Sequence, residues 1–301
     1  MANLRDIRRR IKSVKNTSQI TKAMQLVAAA KMKKAQDQAI AGRDYADRLN
    51  QVLVHLKDNI SVSEDDHALL KQPKGKKELM LVVSTDKGLC GGLNTNLLKK
   101  VRSEIAEDAD VVTVGRKLRM SLGKLGHNIV SDWEVADPTP FGDAKPIGAY
   151  LTEQFLGGEY SVVKVAFTNF ETTLTQTPWI QQLLPVEAST LAEKRSYEGM
   201  GRDAEVEETS RDGGMLRDYI FEPSPEGVLD TLLPLYLNYQ VYQMILEARA
   251  SEHSARMVAM KAATDNAEQM IKDLTLEYNK VRQAAITSEL LEITTAMKAM
   301  E

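Results

Sequence analysis

Apolar residues recur at intervals of three and four at both ends of the chain and break into short separate runs between them. In residues 225–301, the positions Val241, Ile245 and Ala248, then Met270, Leu274, Tyr278, Val281 and Ala285, then Ile286, Leu290, Ile293 and Met297 follow this spacing. That is the period of a helix with one apolar face. Ser224 stands before Pro225, a capping side chain ahead of a proline at the first helical position, where the missing amide hydrogen costs little. No glycine follows Gly227, and Pro234 is the only later proline. About 70 residues are therefore expected to form one nearly continuous helix of roughly 105 Å. A compact domain cannot enclose such a helix, and its apolar seam requires a partner.

The partner is predicted at the other end. Asn3, with Asp6 three residues on, marks a helix start, because Asn3 can accept a backbone amide and Asp6 suits the positive end of the helix dipole. Leu4, Ile7, Ile11 and Val14 share one face, and after the polar residues 16–19 the stripe is expected to resume with Ile20, Met24 and Val27 and to continue through Tyr45, Leu49, Val52 and Leu56. With Gly42 as its one glycine and no proline before Pro73, this helix is expected to run about 50 residues, or roughly 75 Å. One terminal helix leads into the intervening chain and the other leads out, so antiparallel pairing is expected. Ala28, Ala35 and Ala39, against Ala248, Ala255 and Ala259, allow a close approach. The longer C-terminal helix should extend past its partner. Its last residues, 286–300, are rich in Leu, Ile, Ala, Thr and Met and are expected to be surrounded by another protein, since a lone helix draws little stability from propensity. Fraying is the other reading that the residues allow.

Between the helices the period changes. Residues 61–77 are loop-like, and 79–83 form an apolar run suited to a buried strand. The glycine-rich residues 84–92 follow, and then a helical pattern to about residue 105. Strands are expected at 111–114, 127–130, 161–168 and 179–184, and helices at 116–125 and 144–156. The alternation implies an α/β sheet of about five strands. The expected fold class is thus α/β: a long antiparallel coiled coil of terminal helices, 1–60 and 225–301, around an inserted Rossmann-like α/β domain, 77–190. Residues 191–224 read as a surface segment, with charges clustered at 193–212 and apolar character restored at Tyr219, Ile220 and Phe221.

Charge changes this picture in one region. The formal net charge of the 301 residues is -3, which gives no overall case for nucleic acid. From residue 1 to 36, however, Arg5, Arg8, Arg9, Arg10, Lys12, Lys15, Lys22, Lys31, Lys33 and Lys34 are opposed by Asp6 alone. Such a block attracts anions: a phosphate backbone, an acidic lipid or an acidic protein loop. A solvated face and a basic transit peptide are the other readings, although the helical stripe continues well past Lys34. No apolar run approaches the 18 or so residues that span a bilayer.

Candidate chemistry is sparse. The turn at 84–92 follows a strand and opens a helix, as phosphate-binding loops do. Its glycines, Gly88, Gly91 and Gly92, fit neither the P-loop order nor G-x-G-x-x-G. Cys90 is the sole cysteine, which excludes an internal disulfide and a multi-thiolate metal site. No histidine lies near it in sequence, and His55, His67, His127 and His253 lack metal-ligand spacing. Asp86 and Lys87 suit an ion pair or a contact with a partner. No catalytic, cofactor or metal site is expected. From the residues alone, a nucleic-acid-binding scaffold and a nucleotide-binding enzyme using the 84–94 loop remain open beside a structural role.

Four stretches narrow the choice. Residues 20–32 read ITKAMQLVAAAKM, 84–94 read STDKGLCGGLN, 251–264 read SEHSARMVAMKAAT and 282–290 read RQAAITSEL. With the organisation above, the chain resembles the gamma subunit of F-type ATP synthases over nearly its whole length. The resemblance implies a rotor without catalytic activity of its own, standing inside a ring of alpha and beta subunits and meeting the epsilon subunit and the membrane c ring. It implies partner contacts at Met24, Lys87, Cys90, Arg282, Gln283 and Thr287 toward the beta subunits, and at Tyr219 and Phe221 toward the c ring and epsilon. It further implies ATP synthesis coupled to hydrogen ion transport; the lack of an obvious presequence favours a peripheral place on the cytoplasmic side of a bacterial inner membrane, with a processed mitochondrial form as the other reading. Residues 193–212 hold no cysteine, so the thiol control of some photosynthetic relatives is not expected.

Overall fold

The computed structural model describes residues 4–42, 67–71, 77–186 and 224–300, with positions 45, 48, 49, 52, 53, 56, 75 and 222. The chain divides into two compact units, one of Met1–Ala28 with Arg256–Glu301 and one of Ala29–Ala255. The elements are α1 (Leu4–Ala41), β1 (Lys77–Val83), α2 (Leu93–Glu104), β2 (Asp110–Val114), α3 (Arg116–Lys124), β3 (Asn128–Trp133), α4 (Phe141–Leu156), β4 (Tyr160–Phe170), β5 (Gln176–Leu184) and α5 (Pro225–Lys298).

In the Ala29–Ala255 unit the five strands lie in the order β3-β2-β1-β4-β5. The first four are parallel, and β5 returns antiparallel beside β4, Phe167 opposite Trp179. β1 is central and buried on both faces, which is why it reads as an unbroken apolar run. Its side chains alternate between two cores. Met80 and Val82, with Val111 and Ala166, meet Leu97 and Val101 of α2 and Leu118 and Leu122 of α3. Leu79, Leu81 and Val83, with Val112, Val163 and Phe167, meet Ile147, Leu151 and Phe155 of α4 and Leu233, Leu237, Val241 and Ile245 of α5.

Several boundaries differ from the sequence pattern for identifiable reasons. β5 begins at Gln176 and runs through Pro178; at the sheet edge the missing proline donor faces no neighbouring strand. β3 extends to Trp133 because it is the other edge, where Ser131 and Asp132 can occupy a ladder without being buried. α4 begins at Phe141 despite Pro146, and Phe141 packs edge-on against Tyr242, ring centroids 5.4 Å apart. α4 meets α5 through Gly148, where an added Cβ would lie 2.3 Å from Asn238 Oδ1. α5 starts as expected: the Ser224 hydroxyl accepts the Gly227 amide at 3.1 Å. Its 74 residues continue through Pro234. α1 is assigned over 38 residues. Leu49, Leu53 and Leu56, beyond it, are buried in the α4–α5 core. Asn3 lies outside the described residues.

In the other unit α1 and α5 are antiparallel, as expected. Arg8 donates to the Tyr278 hydroxyl at 3.0 Å, and thirteen residues along α1 the Thr21 and Thr264 hydroxyls meet at 2.7 Å. The predicted stripe is corrected on both helices: on α5 Met270 is 47% exposed and the seam passes through buried Ala267 and Leu274. The α1 seam does not resume at Ile20 and Val27, which are 60% and 57% exposed; it passes through buried Ser18, Thr21 and Ala28. Strict alternation of threes and fours from Ile7 and Ile11 leads to 14, 18, 21, 25 and 28, and small polar residues at 18 and 21 let the helices approach closely.

Candidate partner-contact sites

The glycine-rich turn is built as a strut. After β1, the Ser84 hydroxyl accepts the Leu118 amide at 3.2 Å, the Thr85 carbonyl accepts the Lys117 amide at 3.0 Å and the Asp86 carboxylate accepts the Arg116 amide at 3.2 Å. Three consecutive loop residues thus take the first three amides of α3, which otherwise lack partners within the helix. Gly115 makes this possible: its φ is +90°, and a Cβ there would lie 2.2 Å from the Ser84 carbonyl oxygen. With those amides occupied, the N-terminus of α3 offers no phosphate cradle; the helix that the glycine-rich turn itself opens is α2, where the Leu93 amide donates to the Cys90 carbonyl at 3.4 Å.

The remainder of the turn is held by Asn94. Its side-chain amide donates to Thr85 Oγ1 at 2.8 Å and to Cys90 Sγ at 3.4 Å, while Thr85 Oγ1 donates to the Lys87 carbonyl at 2.7 Å. Cys90 is buried, so its sulfur fixes the loop from inside. Lys87 is exposed. Leu89 is 61% exposed and held at φ +63°, a conformation uncommon outside glycine. The rigid side of the turn faces the sheet, and Lys87 and Leu89 face outward.

A polar stretch of α5 lies against the same end of the sheet. Arg249, Ser251, Glu252, His253 and Ser254 are all buried. The Arg249 guanidinium donates to Glu252 at 2.9 Å, to the Val135 carbonyl at 3.0 Å and to Asp86 at 3.3 Å. Burial alone would lower its pKa, but Glu252 and Asp86 outweigh that and raise it. Ser251 and Ser254 donate to the carbonyls of Thr168 at 3.0 Å and Thr173 at 2.7 Å. Beside them Asp137 meets His253 Nε2 at 3.2 Å and Lys31 Nζ at 2.7 Å. The His253 contact, with Lys31, holds the Asp137 carboxyl well below the usual carboxylate range against the cost of burial.

In the Met1–Ala28 and Arg256–Glu301 unit, Met24 is half-buried at the margin of the seam, and Arg282, Gln283 and Thr287 are exposed. The Thr287 hydroxyl donates to the Gln283 carbonyl at 2.9 Å, within the helix. With Thr21 opposite Thr264, Met24 lies roughly 30 Å along the pair from Arg282 at 1.5 Å per residue. These residues therefore form separate stations along one helix pair, and Lys87 and Cys90 belong to the other unit. Tyr219 and Phe221 lie outside the described residues. Around the stations the surface is apolar: Ile20, Leu26 and Val27 on α1, and Ile286, Leu290, Leu291, Ile293 and Met297 on α5 are each at least 49% exposed. The ten basic side chains of α1 are exposed as well. Among the described residues no helix is long and apolar enough to cross a membrane.

A family model described as ATP synthase matches residues 3–300. The ATP synthase gamma chain of Akkermansia muciniphila is 51% identical over 301 residues, the full length of both chains. That of Opitutus terrae is 47% identical over 99% of each chain. The chain belongs to the ATP synthase gamma chain family. Among solved structures, a chain of the Euglena gracilis mitochondrial ATP synthase in rotational state 3 superimposes with a TM-score of 0.67, at 21% identity, covering 99% of this chain and 94% of that one. A chain of the Tetrahymena thermophila central stalk and c ring does so at 0.56 and 24% identity, covering 81% and 99%. At this identity the likeness concerns the fold.

Sequence reasoning missed Leu89, Arg249, and the grouping of Lys31, Asp137 and His253. A usable signal was present for Arg249: residues 249–254 place charged and hydroxyl side chains all around two turns of a helix that also carries the core positions Ile245 and Ala248. Charge at that density on a core-facing segment requires partners from elsewhere in the fold.

Proposed function

We propose that this chain is the central-stalk rotor of an F-type ATP synthase, coupling proton flow through a membrane c ring to ATP synthesis or hydrolysis on beta subunits without performing the chemistry itself. The observation that most supports this reading is the full-length 51% identity to an ATP synthase gamma chain. The paired helices stand inside a ring of alpha and beta subunits, and the sheet-bearing unit meets epsilon and the c ring. The surface chemistry fits a shaft that must turn. Apolar contact is non-directional, so the exposed Ile, Leu and Met side chains of residues 286–300 can slide within an apolar sleeve without a fixed register. The basic face of α1 gains attraction from acidic loops in any of several orientations.

Met24, Arg282, Gln283 and Thr287 are the proposed beta-subunit contacts along the shaft. Lys87, whose carbonyl accepts the Thr85 hydroxyl, forms another with Leu89 beside it, in the turn that the buried Cys90 helps to hold. Tyr219 and Phe221 are the proposed contacts with the c ring and epsilon. The place of action is the cytoplasmic side of a bacterial inner membrane, as a peripheral subunit, with no cofactor and no nucleic acid. The test is co-purification of tagged chain with alpha and beta subunits, followed by ATP hydrolysis with and without the chain. Stable assembly and chain-dependent turnover are expected. Failure to assemble, with salt-sensitive DNA binding instead, would overturn the proposal.

A further inference from the structure

Arg249 sits where a ligand would bind in many α/β proteins. In an open parallel sheet the crevice lies at the carboxyl ends of the strands, where the order reverses; here that place is between β1 and β4. α5 fills it. Arg249 reaches Asp86 beyond β1 and the Val135 carbonyl beyond β3, and Ser251 takes the Thr168 carbonyl of β4. Asp86 is shared, because its other oxygen accepts the first amide of α3. One guanidinium thus joins a long helix, the ends of two strands and the loop that carries Lys87 and Leu89. A planar fork can hold these acceptors together, whereas an ammonium has no such fixed geometry. The apolar side chains below it, Val241, Ile245 and Ala248, resist separation of helix and sheet but set no direction.

We propose that Arg249 is a torque-transmitting positioning residue. Its directed bonds fix the rotational register of α5 on the sheet, so that turning of the sheet-bearing part is passed to the shaft helix without slip. This rests on the rotor reading above. Arg249 touches no nucleotide, and its loss acts on coupling in the first place and on hydrolysis only secondarily.

The experiment uses the complete complex in vesicles, with ATP hydrolysis and ATP-driven proton pumping measured on the same preparation for wild type, Arg249→Met and Arg249→Lys. Pumping per ATP is expected to fall about fivefold or more in Arg249→Met, with hydrolysis retained and Arg249→Lys intermediate. If Arg249→Met does not assemble, Arg249→Lys decides by the same ratio, a fall supporting the proposal. An unchanged ratio in an assembled variant overturns it, as does a parallel loss of hydrolysis and pumping, which is what a merely structural role produces. A wild-type complex that neither assembles nor pumps overturns the rotor reading itself, and this proposal with it.

Discussion

Asp137 shows how much a single residue depends on the fold. Its carboxylate faces His253 Nε2 at 3.2 Å and the Lys31 ammonium at 2.7 Å, and its pKa is lowered chiefly by the His253 contact. A carboxyl whose pKa is lower folded than unfolded contributes stability above its unfolded value, near 4, and loses it as the pH falls. Asp137→Asn is therefore expected to destabilise the chain by roughly 1 kcal/mol at neutral pH, a value kept small by partial exposure. The deficit should shrink below about pH 4. Urea unfolding of both proteins across that range checks it, and a deficit that stays constant into acid would contradict the assignment. Nothing in the sequence brought Lys31, Asp137 and His253 together, because they are 106 and 116 positions apart and meet only after the sheet forms. Asp110 follows the same logic: burial would raise its pKa, but hydrogen bonds from Asn128 and Tyr160, with Lys77 nearby, lower it.

At the scale of elements the pattern was far more legible. Among the described residues, local periodicity located the five strands and five helices, because a buried parallel strand and a long amphipathic helix each announce themselves within a few residues. Its errors were at edges and along the seam. The strand expected at 179–184 begins earlier, at Gln176, and runs through Pro178 at the sheet edge. Ile20 and Val27 drew the stripe away from Ser18 and Thr21 because hydrophobicity was taken to mean burial, whereas in a close-packed helix pair small side chains occupy the seam. The Thr21–Thr264 contact tests this reading. Either Thr→Val change alone removes the contact, although the remaining hydroxyl keeps its bond within its own helix, Thr21 to the Ser18 carbonyl or Thr264 to the Met260 carbonyl; each should cost about 1 kcal/mol, while the double change should cost less than the two singles combined. Thermal unfolding of the four proteins measures the coupling, and additive losses would mean that the hydroxyls do not meet. The exposed Ile20 and Val27 point the same way, toward a surface that is completed only by a partner.

For the whole molecule, the family and the rotor function were legible from four local motifs, which occur on α1, in the β1–α2 turn, on α5 where it meets the sheet, and near its C-terminus. What joins them was not legible, since the Arg249 contacts depend on where the loops after β1 and β3 meet α5. The basic face of α1 also needs sorting by structure. Arg8 is engaged with Tyr278, over whose ring it lies at 5.6 Å, and Arg9 pairs with Asp6 at 3.2 Å. Reversal of these two would disturb the chain itself. Lys12, Lys15 and Lys22 give the cleaner test: as Glu, they should leave the melting temperature of the isolated chain within a few degrees, since exposed substitutions usually stay within about 0.5 kcal/mol. They should nevertheless weaken assembly with alpha and beta subunits, most at low salt. Unchanged assembly would remove the electrostatic part of the account. The central claim is that this chain turns. A bead fixed to it, with the alpha and beta ring held on a surface and supplied with ATP, should rotate continuously in one direction, and stop when ATP is withdrawn. Steady hydrolysis by the assembled complex with a bead that never rotates would contradict the account.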